Sequence, residues 1–467
     1  MQEDHSPTSA NSTRPDLPRL VGFFGASGVM IGVMIGSGIF RTPPEIANHL
    51  ASPTIILLTW LVGGALALAG ALTFTELATM HPQSGGVYVF LREGYGRSTA
   101  FVFGWTYMLV TKPSAAAGIA VVSAECINLL LGTKWDIRII TSVILVVLTG
   151  FNILGVKGST RLGVVLTAFK MAALLAIVVL GALYALGVLP GEGKGAATWP
   201  IAGTPPHSIW LAIAPVMAAV MWTYDGWSDV GAIAGEVKDP SRTLPRIFVL
   251  NTLAVTALYV GVNAVYLLLV PLEQMRGMDN VAPHVLGLLL GGAGATAVTL
   301  IIILSTIGSS HASIMTGARV SFAQARDGLL FGFLGHVHPR FQTPAVALTV
   351  QLCLSLTAIW VLGSFTKLAE SFVFTMWIFY GLAGLAIFIL RVRRPGAQRP
   401  FRCLGYPVVP ALFVLSAAAM TGLAIADDPK TTGKWLGVLA IGYPVYWVWQ
   451  WWNGRADRLG TSHNPNK

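Results

Sequence analysis

The chain is 467 residues long, 54% hydrophobic and only 11% charged, and its mean hydropathy of +0.68 lies far outside the range of soluble globular domains. That excludes a soluble enzyme or soluble binding module and points to an all-α integral membrane protein. A net charge of +10 would suit a nucleic acid, but its distribution follows membrane topology, so no nucleic-acid partner is expected.

Residues 1–19 carry Glu3, Asp4 and Asp16 and lack the basic start and cleavage site of a secretory signal. They read as a disordered cytoplasmic tail, in which the sequon at Asn11 is expected to be inert. Apolar runs able to span a bilayer at roughly 20 residues each then follow at 20–41, 54–79, 97–128, 137–154, 161–187, 208–235, 246–270, 296–320, 344–362, 368–391, 406–425 and 434–452. Twelve spans return the chain to the side on which it began, and 453–467 reads as a second cytoplasmic tail. With both termini in the cytoplasm of a cell-membrane, multi-pass protein, most of the 30 Lys and Arg fall inside, led by Arg391, Arg393, Arg394, Arg399 and Arg402, as the positive-inside bias requires. One membrane domain thus covers 20–452. The proline-bearing connection at 191–207 divides spans 1–5 (20–187) from spans 6–10 (208–391), with spans 11–12 at 406–452. Cys126, Cys353 and Cys403 fall in separate elements, so neither a disulfide framework nor a metal site is indicated, and no cofactor is expected.

The first span is interrupted by Gly36-Ser37-Gly38. Backbone released inside a bilayer must line a cavity or be satisfied by protein, so this triad is a candidate binding site. The amides after Gly36 open a half-helix whose N-terminus suits a carboxylate, and Ser37 adds a hydroxyl. Gly25, Gly28, Gly32 and Gly36 also continue a small-residue spacing that serves close helix packing; the two roles are compatible. Span 6 breaks in a corresponding place, at Trp222-Thr-Tyr-Asp-Gly-Trp-Ser-Asp229. Carbonyls released around Trp222 and Thr223 suit an ammonium group, with Trp222 as an aromatic plate over the pocket. Asp225 either strengthens that cationic side or caps the half-helix that follows. One anionic seat and one cationic seat make a receptor for a zwitterion.

Lys170 lies about 14 Å into span 5 at 1.5 Å per residue, too deep to snorkel easily. Ser305, Ser309 and Ser313 share one face of span 8 and offer it a surface, with Thr306 and His311 turned elsewhere. Lys112, followed by Pro113 in span 3, is a second buried cation without an evident partner, and Glu76 and Glu125 are expected at opposite membrane interfaces. Paired acids, a metal cluster or a nucleophile with its base are not evident at depth, which argues against a membrane enzyme. A channel or nutrient-sensing receptor would be separated from a carrier by saturable counterflow.

Gly32-Val-Met-Ile-Gly-Ser-Gly-Ile-Phe40, Trp222-Thr-Tyr-Asp-Gly-Trp227 and Gly235-Glu-Val-Lys-Asp-Pro-Ser-Arg-Thr-Leu-Pro245 resemble the span 1 and span 6 signatures of the amino acid-polyamine-organocation superfamily. Within it the chain is similar to the L-amino acid transporter branch, including bacterial serine/threonine exchanger-like members. Pro82-Gln-Ser-Gly-Gly-Val-Tyr88, Lys112-Pro113-Ser114 and Pro400-Phe-Arg-Cys-Leu-Gly-Tyr-Pro407 carry the likeness across essentially all spans. The resemblance implies a LeuT-like five-plus-five inverted repeat with helices 1 and 6 broken, and a sodium-independent carrier exchanging neutral L-amino acids by alternating access. A proton-coupled amino acid or polyamine permease is the alternative. It further implies that Met34, Ile35, Gly36, Ser37 and Gly38, with Trp222, Thr223 and Asp225, bind the substrate, and that Trp222 is the gate. Lys170 matches the span 5 lysine whose ammonium stands where sodium binds in sodium-coupled relatives, between Gly32 and the serines Ser309 and Ser313. Asp225 stands where heavy-chain-linked eukaryotic members tend to carry Gly, though other members share the acid, and this bears on substrate side-chain preference; span 3 offers no obvious Cys for a heavy-chain link, so no heavy-chain subunit is expected.

Overall fold

The computed structural model of the protein describes residues 19–188 and 209–458. The tail through residue 18, the connection at 191–207 and the chain beyond 458 lie outside the described residues. Helices α1 (Phe23–Met34) and α2 (Gly38–His49) occupy the first apolar run, with the expected interruption between them, and α3 (Pro53–Met80) the second. After a short helix α4 (Val87–Tyr95), the third run is α5 (Arg97–Thr106), a π turn at Tyr107–Thr111 and α6 (Lys112–Leu131) in direct continuation. Helices α7 (Ile137–Ile153) and α8 (Val156–Ala185) follow, then α9 (Ile209–Tyr224), the single turn α10 (Asp229–Ala232) and α11 (Pro240–Leu269). A further short turn α12 (Leu272–Met275) leads into α13 (Val281–Arg326), bent at Gly291, and then α14 (Ala345–Leu362), α15 (Phe365–Arg393), α16 (Val408–Asp427) and α17 (Pro429–Arg458). Nine helical segments among the described residues are long and apolar enough to cross a membrane, and Ile137–Ile153 and Ala212–Tyr224 are shorter apolar helices. Strand structure among the described residues is confined to one isolated bridge, Val21 with Val237.

Local chemistry explains the element ends. Ser52 accepts the Ile55 N–H ahead of Pro53 at the start of α3, and Asp136 accepts the Arg138 N–H at the start of α7, each satisfying a donor that a helix start leaves free. Helix α7 also shows the inverted polarity of a bilayer protein. Its exposed stripe is Ile139, Val143, Val146 and Val147, whereas Thr141, Thr149 and Asn152 are buried against the bundle. Exposed aliphatic stripes of that kind need lipid as their solvent.

At the centre, α1 packs on α8, α11 and α13, α2 packs on α9, and α6 runs along α13. The glycine spacing in α1 serves this packing directly. A Cβ at Gly28 would stand 2.9 Å from Val164, and one at Gly32 would stand 2.9 Å from the Thr167 hydroxyl. Close approach and a broken helix therefore coexist in the same segment.

Glu76 lies near the end of α3. It is fully buried, 2.6 Å from Arg391, and it accepts the Cys403 N–H at 2.7 Å. The loop after α15 folds back over the end of α3, so a helix-end position becomes an interior one. Glu125 remains near a surface and pairs with Arg41 of α2.

Candidate functional site

The two interruptions meet. A Cβ on Gly38 would lie 2.5 Å from the Thr223 hydroxyl and 2.7 Å from Thr223 Cα, and one on Gly226 would lie 2.7 Å from Val33 and 2.8 Å from the Met34 nitrogen. Gly226 also has φ +106°, a conformation that side chains disfavour. Two glycines thus let the broken backbones cross at contact distance. The Tyr259 hydroxyl of α11 ties the crossing together by donating toward the Met34 carbonyl at 2.6 Å and the Thr223 carbonyl at 3.2 Å. Thr42 and Thr223 join their hydroxyls at 2.9 Å.

Beside the crossing is a small cavity whose walls include Met34, Gly36, Ser37, Gly38, Trp222, Thr223, Asp225 and Ser313. On one wall, the Ser37 carbonyl accepts the Phe40 and Arg41 N–H groups, leaving the first amides of α2 as the free donors of a helix start. On the other, the Trp222 carbonyl takes only the Asp225 N–H at 3.3 Å. The hydroxyls of Ser37 and Ser313 are buried without a hydrogen-bond partner. A wall of amides faces a wall of weakly engaged carbonyls, with two hydroxyls able to serve either. Ile35 turns away from the cavity, fully buried, and gives its carbonyl to Lys170. Asp225 accepts from the Tyr380 hydroxyl at 2.7 Å and from the Gly226 N–H, while Ser228 occupies the cap position of α10 without a side-chain cap bond.

Lys170 is fully buried, with its ammonium 2.9 Å from the Gly32 carbonyl, 2.8 Å from the Ile35 carbonyl, 3.0 Å from the Ser305 carbonyl and 2.8 Å from the Ser309 hydroxyl. Among the described residues no carboxylate lies within ion-pair distance of it. One charge thereby joins α8 to the end of α1 and to α13 through oxygen dipoles alone. Of the serines on the α13 face, Ser305 and Ser309 reach Lys170. Ser313, one turn beyond, does not; it belongs to the cavity wall. Thr306 and His311, turned elsewhere as expected, bond Ser123 and Asn152.

Trp222 stands between this cavity and a wider one toward Arg41, Glu45 and Glu370, because it lines both. Phe365 and Phe372 hold the indole edge-on at 5.5 and 5.3 Å. Past the crossing, away from Arg41, Glu236 pairs with Arg319 at 2.6 Å, each 3% exposed, and Asp327 pairs with Arg92.

Sequence reasoning missed two members of this arrangement. Tyr259 reads as an ordinary aromatic of an apolar span, and only the crossing gives its hydroxyl work. The partner of Lys112 is Asp229, at 2.6 Å with both side chains 4% exposed. Asp229 closes the second interruption in the sequence, so its position at depth was the available signal.

The model of a protein family described as amino acid permease matches residues 21–447. The serine/threonine exchanger SteT of Bacillus subtilis is 30% identical over 436 residues, covering 92% of this chain and 97% of that protein. The cystine/glutamate transporter of Homo sapiens is 29% identical over 442 residues, covering 94% and 86%. The Asc-type amino acid transporter 1 of Mus musculus is 27% identical over 458 residues, covering 95% and 83%.

Proposed function

The chain belongs to the amino acid permease family, and from that premise we propose that it is a sodium-independent exchanger of neutral L-amino acids working by alternating access. The observation that carries this reading is the crossing of the two interruptions. Free amides on one wall suit the substrate carboxylate, and weakly engaged carbonyls on the other suit its ammonium. The names of the relatives, an exchanger and two transporters acting on amino acids, support the same substrate class. Its frame is twelve spans in a five-plus-five inverted repeat, with both termini cytoplasmic and no heavy-chain subunit. The matching interruptions at α1/α2 and α9/α10 support the repeat, and the basic loops support the orientation. Lys170 replaces a coupling cation, Met34, Gly36, Ser37 and Gly38 with Trp222, Thr223 and Asp225 hold the substrate, and Trp222 closes it off from the wider cavity.

The test is efflux from preloaded proteoliposomes against a panel of external amino acids, with sodium replaced by choline. Saturable counterflow unaffected by the replacement is expected. Amino acid esters, N-acylated amino acids and amines lacking a carboxylate should fail to drive it, since each removes one of the two charges. Amines competing as strongly as the parent amino acids would move the reading toward a polyamine permease.

Trp222→Ala is expected to lower apparent affinity by about 10-fold, in line with the loss of a packed aromatic at a binding site, and to speed substrate dissociation. Dissociation measured by isotope dilution checks this. Unchanged affinity and off-rate would remove Trp222 from the gate.

A further inference from the structure

The end of α15 and the loop after it carry five arginines, Arg391, Arg393, Arg394, Arg399 and Arg402, inside a stretch, 371–426, that contains no Asp or Glu. The carboxylates that answer them come from elsewhere and are too few. Arg391 and Arg399 both close on Glu76 of α3, at 2.6 and 3.3 Å, and Arg394 reaches Glu93 of α4 at 2.9 Å, an acid already shared with Arg92. Arg393 donates only to the Gly94 carbonyl, at 3.2 Å. Among the described residues no carboxylate stands within ion-pair distance of Arg393 or Arg402, and both side chains are exposed.

The loop that presents them is braced from within. Cys403 is buried and gives its N–H to Glu76 at 2.7 Å, while Arg402 and Leu404 on either side of it are exposed. Apolar surface begins beside each free arginine. Val392 next to Arg393, Leu404 beyond Arg402, and Val408, Leu412 and Leu415 along one face of α16 are all more than half exposed, whereas Phe413, Ala417 and Met420 of the same helix are buried. The outer face of α16 takes acyl chains as its solvent. A guanidinium at the head of such a face matches a phosphate in charge and in hydrogen-bond geometry.

We infer that the corner between α15 and α16 binds an anionic phospholipid, with the headgroup on Arg393 and Arg402 and the acyl chains along the outer face of α16. The site stands apart from the exchange proposed above and does not depend on it. Charge sets its preference, since a zwitterionic lipid brings its own cation to the phosphate and has less need of the two arginines. The apolar stripe sets the class of ligand, since a soluble phosphate would leave that face unused.

Native mass spectrometry of the purified, delipidated protein tests this, with dioleoyl phosphatidylglycerol and dioleoyl phosphatidylcholine as probes. The two share their chains and differ in net charge. Phosphatidylglycerol should bind the native protein about 10-fold more tightly, the scale that two basic residues near a lipid headgroup support. Arg393→Gln combined with Arg402→Gln should bring phosphatidylglycerol down to the level of phosphatidylcholine and leave phosphatidylcholine unchanged. Lys134→Gln combined with Lys367→Gln removes the same charge from two exposed positions in other parts of the chain and should keep the native preference. Glycerol 3-phosphate, which has the anion without the chains, should not displace phosphatidylglycerol at 100-fold excess over about its own concentration. The native comparison needs no variant, so misfolding of either one leaves the inference open to refutation. Equal binding of the two lipids by the native protein overturns it, as does a preference that survives loss of both arginines or is lost equally in the lysine control. Displacement by glycerol 3-phosphate would make this a site for soluble phosphate and overturn the lipid assignment.

Discussion

Lys170→Ala is expected to cut exchange by about 100-fold while leaving substrate affinity within a fewfold of native, because the ammonium touches no cavity wall atom directly and acts on the backbone that forms the wall. Its removal strands the Gly32 carbonyl and takes one partner each from the Ile35 and Ser305 carbonyls and the Ser309 hydroxyl. Leaving buried acceptors unsatisfied costs about 1–3 kcal/mol each, and even one such cost is about 10- to 100-fold in an equilibrium between conformers. The Ser309 hydroxyl, 2.7 Å from the Ile35 carbonyl and 3.1 Å from the Ser305 carbonyl, would still donate to one of them and limit the damage to folding. Side-specific exchange and binding in proteoliposomes check this. A native rate with native affinity on both faces would reduce Lys170 to a snorkelling lysine.

Gly38→Val is expected to abolish measurable substrate binding and to destabilise the fold by about 1–3 kcal/mol, the usual cost of overpacking. The first atom added would already overlap Thr223, at 2.5 Å from its hydroxyl and 2.7 Å from its backbone, and backbone cannot rotate away as a flexible side-chain tip does. The crossing must open, which separates the amide wall from the carbonyl wall. Gly437→Val is the control, since a Cβ there meets nothing within 4 Å. Binding by scintillation proximity on purified protein, with thermal unfolding followed in parallel, checks both variants. Native affinity in Gly38→Val would mean that the crossing is not the seat.

Of the twelve apolar runs, nine lie in helices long and apolar enough to cross a membrane and two in shorter apolar helices, whereas 434–452 lies in α17, which is outside both groups. The run expected at 296–320 lies within a helix that starts at Val281 and bends at Gly291, because an arm of ordinary hydropathy precedes the apolar stretch. The interruptions were legible because glycine and acid at depth need a reason. Lys170 was legible as a depth, and its serines as a periodicity, but the choice among Ser305, Ser309 and Ser313 depends on helix rotation that spacing does not fix. Partnerships between distant positions were not legible. Lys112 meets Asp229 from 117 residues away, and Glu76 meets Arg391 from 315 away, so a helix-end glutamate and a lone lysine both look unpaired until the chain folds back. Tyr259 illustrates a third kind of silence, since an aromatic ring satisfies the hydropathy pattern whether or not its hydroxyl has a task.

The π turn at Tyr107–Thr111 alters how the third apolar run must be read. The Lys112 N–H bonds the Tyr107 carbonyl, five residues back, so the turn absorbs one residue more than an α-turn would. In a regular helix advancing about 100° per residue, positions nine apart such as Phe103 and Lys112 would face about 180° apart. With one residue absorbed they fall about 80° apart, and Tyr107 and Lys112 about 40° apart. That phase jump is why Phe103, Tyr107 and Lys112 all line one compartment, with the ammonium 5.7 Å from the Tyr107 ring centre. The run behaves as two helical wheels out of register, and a mutational scan laid out on a single wheel would choose the wrong face on one side of Tyr107.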